Sequence, residues 1–173
     1  MMDASDDSAA IVRMYRAHAR GFRAEPATLT LWQHGGGPGP GLLNESLQLD
    51  FHPDGHVTGT FNRTTFDTSY EPPFLHERFT GTVSTDGAER LLAQVLGGRL
   101  FMHEHAAERD PKIGGVVKEE WDVTRGTARA HKLFYNEPFP ADYDAPRALG
   151  RELMNELVQR GERELLSKKR DAR

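Results

Sequence analysis

His103 and His105 stand two residues apart in the segment GGRLFMHEHAAERDPKIGG, Gly97 to Gly115. On an extended chain both imidazoles point to one side and can share a metal ion. Glu108 is a third candidate ligand and His131, further along, a fourth. Such a set would hold a divalent metal, the one cofactor these residue types suggest. The same residues also read as a polar surface loop with no cofactor, because short motif matches arise often by chance. A second histidine pair, His52 and His56, brackets Pro53-Asp54-Gly55. It could bind a metal across a hairpin, or simply flank a solvated turn.

Taken together, Gly97, His103, His105, Glu108 and Gly115 resemble the first cupin motif, with His131 and Asn136 echoing the second. In cupins the two histidines, the glutamate and the later histidine bind a divalent metal inside a β-barrel. The resemblance therefore implies a metal-binding cupin-like protein or a metal-dependent enzyme using the His-x-His site. The chain departs from the pattern in three ways. The step from His105 to Glu108 is one residue short, the second motif lacks its proline and second glycine, and a helical pattern precedes the first motif where cupins have strands.

Other chemistries have less support. With no cysteine in 173 residues, thiolate catalysis, disulfides and sulfur-ligated zinc are excluded. A reducing, cytoplasmic location is the expectation. The first 25 residues hold Asp3, Asp6 and Asp7 and no long apolar run, so they do not read as a secretory signal. No stretch approaches the roughly 20 apolar residues of a membrane helix. The net charge of −4 is unevenly spread. Residues 24–145 carry 10 Lys+Arg against 18 Asp+Glu, whereas residues 1–23 and 146–173 balance at +1 and +3. An acidic centre does not suit nucleic acid as the main partner.

The elements that must position these residues follow from periodicity. A first helix is predicted to run to about Phe22, and Arg13, Arg16, Arg20 and Arg23 form one basic stripe along it. Thr28 to Trp32 reads as a strand, and HGGGPGPG, His34 to Gly41, as a flexible loop. In LQLDFHPDGHVTGTF, Leu47, Leu49 and Phe51 alternate with polar residues around a turn at Asp54-Gly55. Residues 62–79 read as a long loop with a strand near Phe79. Ala88, Leu91, Leu92, Val95 and Leu96 predict an amphipathic helix with Ser84, Thr85 or Asp86 as N-cap, where Asp86-x-x-Glu89 resembles a capping box. A second hairpin, Glu119 to Tyr135, is predicted to turn at Arg125-Gly126, so that Asp122 faces Arg129, Glu120 faces His131 and Glu119 faces Lys132. A last helix runs from about Pro146 to the C-terminus with Leu149, Leu153, Leu157 and Leu165 on one stripe.

Two hairpin–helix units predict one α+β domain over residues 1–173, with an antiparallel sheet of four to six strands and helices mainly on one face. Residues 1–7 and 168–173 are expected to fray. No nucleophile–base motif stands in the sequence. The leading expectation is thus a non-catalytic partner-binding protein: an inhibitor, immunity protein, adaptor or complex subunit. Phe66, Tyr70, Phe74 and Phe79 surround Pro72-Pro73 and are candidate contacts. Arg13, Arg16 and Arg20 are candidates for an acidic partner, against the alternative of a solvated face. A homo-oligomer is compatible with this reading. A further alternative is a small-ligand binder with a pocket between sheet and helices.

Overall fold

The computed structural model describes residues 7–35, 41–98, 100–102, 118–135 and 144–171. Seven strands form one sheet: β1 (Ala27–His34), β2 (Leu42–Phe51), β3 (Val57–Phe66), β4 (Phe74–Thr82), β5 (Lys118–Arg125), β6 (Ala128–Tyr135) and β7 (Glu162–Leu165). Their order is β6-β5-β1-β2-β3-β4-β7, with every neighbouring pair antiparallel. β1 lies between the two predicted hairpins and joins them into one sheet. The α+β class holds, with seven strands in place of four to six.

Alternation decides which face is covered. Leu29 and Leu31 of β1, Leu47, Leu49 and Phe51 of β2, Val57 and Phe61 of β3, Phe79 of β4, and Trp121 and Val123 of β5 are all buried. Against them pack the helices α1 (Ser8–Ala17), α2 (Ala19–Phe22), α3 (Thr85–Gly97) and α4 (Asp144–Arg160). α3 buries Ala88, Leu91, Leu92, Val95 and Leu96, the five residues its period predicts. Of the three N-cap candidates it is Ser84 that caps, its hydroxyl accepting from the Gly87 N–H at 3.1 Å, and not Asp86 of the capping-box pattern. Gly59 of β3 lies beneath α4, where a Cβ would come within 2.9 Å of Leu157 and Val83. The missing side chain lets the helix sit close to the sheet.

The differences from expectation have local causes. The supposed loop 62–79 is the far half of a hairpin: β3 runs on to Phe66 and β4 starts at Phe74. The first helix breaks at His18, whose non-helical backbone (φ −155°, ψ 72°) separates α1 from α2. The last helix ends at Arg160. Gly161 then passes so near other backbone that a Cβ would meet the Leu157 and Thr80 carbonyl oxygens at 2.5 and 3.0 Å. After it the chain pairs with β4 as β7, which leaves Leu165 exposed and off the helical stripe. Among the described residues, Lys168 and Arg170 form backbone hydrogen bonds with Glu71 and Ser69, and Asp7 bonds to Arg129.

The first turn falls at Asp54-Gly55 as predicted, with Gly55 at φ 105°. The second turns at Gly126-Thr127, one residue later than expected. Asp122 therefore faces His131, Glu120 faces Leu133 and Glu119 faces Phe134. The Asp122–Arg129 pair survives as a diagonal contact at 2.6 Å. Glu119 points into the core, away from the charge ladder.

Candidate functional site

One register row crosses the covered face where the apolar residues stop. It reads Phe134, Glu119, Gln33, Glu45, Arg63, Glu77 from β6 to β4. Glu119, Glu45 and Glu77 are 1%, 4% and 4% exposed, a costly position for carboxylates unless each is paired. α4 supplies two partners one turn apart. Arg147 donates to Glu119 at 2.8 Å, and Arg151 forks onto both oxygens of Glu45 while also reaching Gln33 at 3.2 Å. Glu119 accepts further from the Trp121 indole at 2.7 Å and from Gln33 at 3.2 Å. Glu77 accepts from Arg63 at 2.8 Å and from Arg163 of β7 at 2.7 Å.

Burial alone would raise the Glu77 carboxyl, but the hydrogen bonds and charges of Arg63 and Arg163 outweigh it and hold it below the usual range. For Arg151, the hydrogen bond to Glu45 raises the guanidinium against the opposing effect of burial. All six oxygens of the three carboxylates are engaged by protein donors. None is left to act as a general base, so this row clamps α4 and β7 onto the sheet. Sequence reading missed it, although each glutamate has the core-facing parity of its strand.

The opposite face of the sheet is uncovered by any described helix. Near its middle lies Trp32, 43% exposed, beside Ser46 of β2 and Glu120 of β5 in register. His34 meets the indole edge-on at 5.2 Å. By the same alternation this face carries Phe66, which is 51% exposed, Phe74 and His76. Phe66 and Phe74 pack edge to face at 6.3 Å. Threonine, serine and asparagine fill much of the space between: Thr28, Thr30, Ser46, Asn62 and Thr80.

On the β5–β6 side, Glu120, Asp122 and His131 bring one ligand atom each within 4.8 Å of one another. His131 Nε2 is 3.9 Å from a carboxylate oxygen of each acidic residue. Lys118 bonds Glu120 at 2.8 Å and Arg129 bonds Asp122 at 2.6 Å. Burial opposes ionisation of Glu120, yet Lys118, His131 and His34 together lower its carboxyl below the usual value. Two carboxylates and an imidazole could hold a divalent cation, in competition with those two cations for the same oxygens.

Comparison with models of known protein families and with curated proteins finds no match to this chain. The function must therefore be read from the residues themselves.

Several sequence candidates are placed by the fold. His103, His105 and Glu108 lie outside the described residues; His131 lies on the uncovered face with Glu120 and Asp122. Of the four aromatics proposed for partner contact, Phe66 and Phe74 are on the uncovered face. Tyr70 and Phe79 are not available there: Tyr70 is buried and Phe79 stacks on Phe61 in the core, with Arg63 over its ring. The arginine stripe is divided. Arg16 caps the C-terminal carbonyls of α3 at Gly98, 3.0 Å, and Arg23 holds Glu89 and the Gly55 carbonyl. Arg13 and Arg20 are exposed. His52 and His56 stack at 4.1 Å, with His52 bonded to Thr58 and His56 to Asp54, so they brace the turn. The His56 backbone N–H, followed by its side chain, lowers the Asp54 carboxyl.

Proposed function

We propose that this is a non-catalytic binding protein whose recognition surface is the uncovered face of the sheet, and that its partner is a protein. The observation that carries the reading is Trp32, exposed near the middle of that face. Tryptophan buries a large area with few rotors to freeze, so it anchors interfaces far more often than it is left in water. Phe66 and Phe74 extend the aromatic surface toward the β3–β4 turn, while Lys118, Glu120, Asp122 and Arg129 supply a charged rim on β5 and β6. The pairing of the three buried carboxylates supports the reading from the other side, since the most unusual charged groups in the fold serve to hold it together.

The test is capture of partner from the source cell by the wild type and by the double variant Trp32→Ser, Phe66→Ser. Both side chains are exposed, so the melting temperature should move little. We expect a protein that the wild type retains and the variant does not. Equal retention by both would remove the uncovered face as the recognition surface.

A second reading rests on a different observation, the convergence of Glu120, Asp122 and His131 within ligand distance. It makes the same face a divalent-metal site, with His131 as a nitrogen ligand.

A further inference from the structure

A cavity of about 440 Å³ opens between α1, α2, the β2–β3 turn and α3, away from the uncovered face. Its walls are of two kinds. Leu92 of α3, Pro53 of the turn and Ala24 give an apolar side. Arg20, Arg23 and the Tyr15 ring give a polar one. The volume falls in the range of small-molecule sites, which combine apolar walls with a few convergent polar groups.

The charges decide what would enter. Arg23 is already committed through Nη1 to Glu89 and through Nη2 to the Gly55 carbonyl at 2.9 Å. Its Nε–H, although buried, has no acceptor among the described residues. Arg20 lines the same cavity on α2 and makes no ion pair among the described residues. Glu89 is the one carboxylate in the lining among the described residues, and Arg23 neutralises it. Burial, then the charge of Glu89, raises the Tyr15 hydroxyl above its ordinary value, so at neutral pH it keeps its proton and can donate. The cavity thus presents the Arg20 guanidinium and a phenol beside an apolar wall.

We propose that this cavity is a binding site for a small organic carboxylate with an aromatic or short aliphatic body. The carboxylate pairs with Arg20, and the body packs on Pro53 and Ala24. A charge-assisted bond to a planar guanidinium gives the anion its advantage over an uncharged analogue of the same shape. The site stands independently of the reading of the sheet face, which shares none of these residues.

The experiment is amide NMR titration of the whole protein with octanoate and 1-naphthoate, and with the uncharged 1-octanol and 1-naphthalenemethanol. At least one carboxylate should shift the amides of Arg20, Ala24 and Gly55 saturably, with a Kd of about 1 mM or tighter. Its alcohol should bind about tenfold more weakly or not at all. Arg20→Gln, at an exposed helical position, should weaken the carboxylate by a similar factor and leave the alcohol unchanged. Ala24→Phe, which fills the cavity, should abolish the shifts while the rest of the spectrum stays dispersed. The proposal is overturned if neither carboxylate saturates, if the alcohols bind as well as the acids, or if Arg20→Gln binds like the wild type.

Discussion

Replacing Arg147 by alanine is expected to destabilise the protein by about 3–5 kcal/mol, the range for removing one partner of a buried ion pair. Glu119 is 1% exposed and cannot turn to water. The Trp121 indole and Gln33 remain as donors, but neither carries charge. Arg147 also anchors the first turns of α4, so its loss should loosen that helix from β5. The companion variant separates charge from packing. Glu119→Gln combined with Arg147→Met removes both charges while keeping an acceptor for the indole, and should recover most of the loss. Urea unfolding of the three proteins gives the comparison. A loss below about 1 kcal/mol for Arg147→Ala would mean that the carboxylate row is not what holds α4 in place.

Leu91→Ala should cost about 2–5 kcal/mol. Leu91 is completely buried on the face of α3 that meets the sheet and lies in the single cluster that runs from Phe22 through Leu49 to Trp121. Removing its isobutyl group leaves a cavity that a close-packed interior only partly closes. Thermal and chemical denaturation should agree on the size of the loss. A change under about 0.5 kcal/mol would place this face of α3 in solvent, against its observed burial.

What the sequence made legible was periodicity. Leu47, Leu49 and Phe51 on one strand, and Leu91, Leu92 and Val95 on one helix, each report a face without reference to anything distant. The carboxylate row was written in the same alternation: Glu45 precedes Leu47 by two, Glu77 precedes Phe79 by two, and Glu119 precedes Trp121 by two. A charged residue at a core-facing position reads as the end of the buried stretch, because its sequence neighbours do not show the distant arginine that pairs with it. Arg147 and Arg151 of α4 and Arg163 of β7 come from roughly 30 to 100 positions away.

The same limit explains the aromatics of residues 66–79. Composition alone cannot separate Phe66 and Phe74 from Phe79. Strand parity separates them, and that parity is visible only once β4 is recognised as a strand. The last helix was overrun for the opposite reason. Leu165 falls two turns beyond Leu157, so the helical period continues on paper past Gly161, where tertiary pairing with β4 takes over.

A partner seated on the uncovered face would shield Trp32 and Phe66 from solvent. Hydroxyl-radical footprinting of the protein alone and with its captured partner tests this directly. The molecule carries its own controls: Trp121 is 1% exposed, and Met14 and Met102, at 39% and 53%, are exposed on α1 and on the turn after α3. Oxidation of Trp32 and Phe66 should fall several-fold in the complex while Met14 and Met102 oxidise as before. Unchanged oxidation of Trp32 and Phe66, with protection of Met14 or Met102, would contradict it and move the interface to the helices.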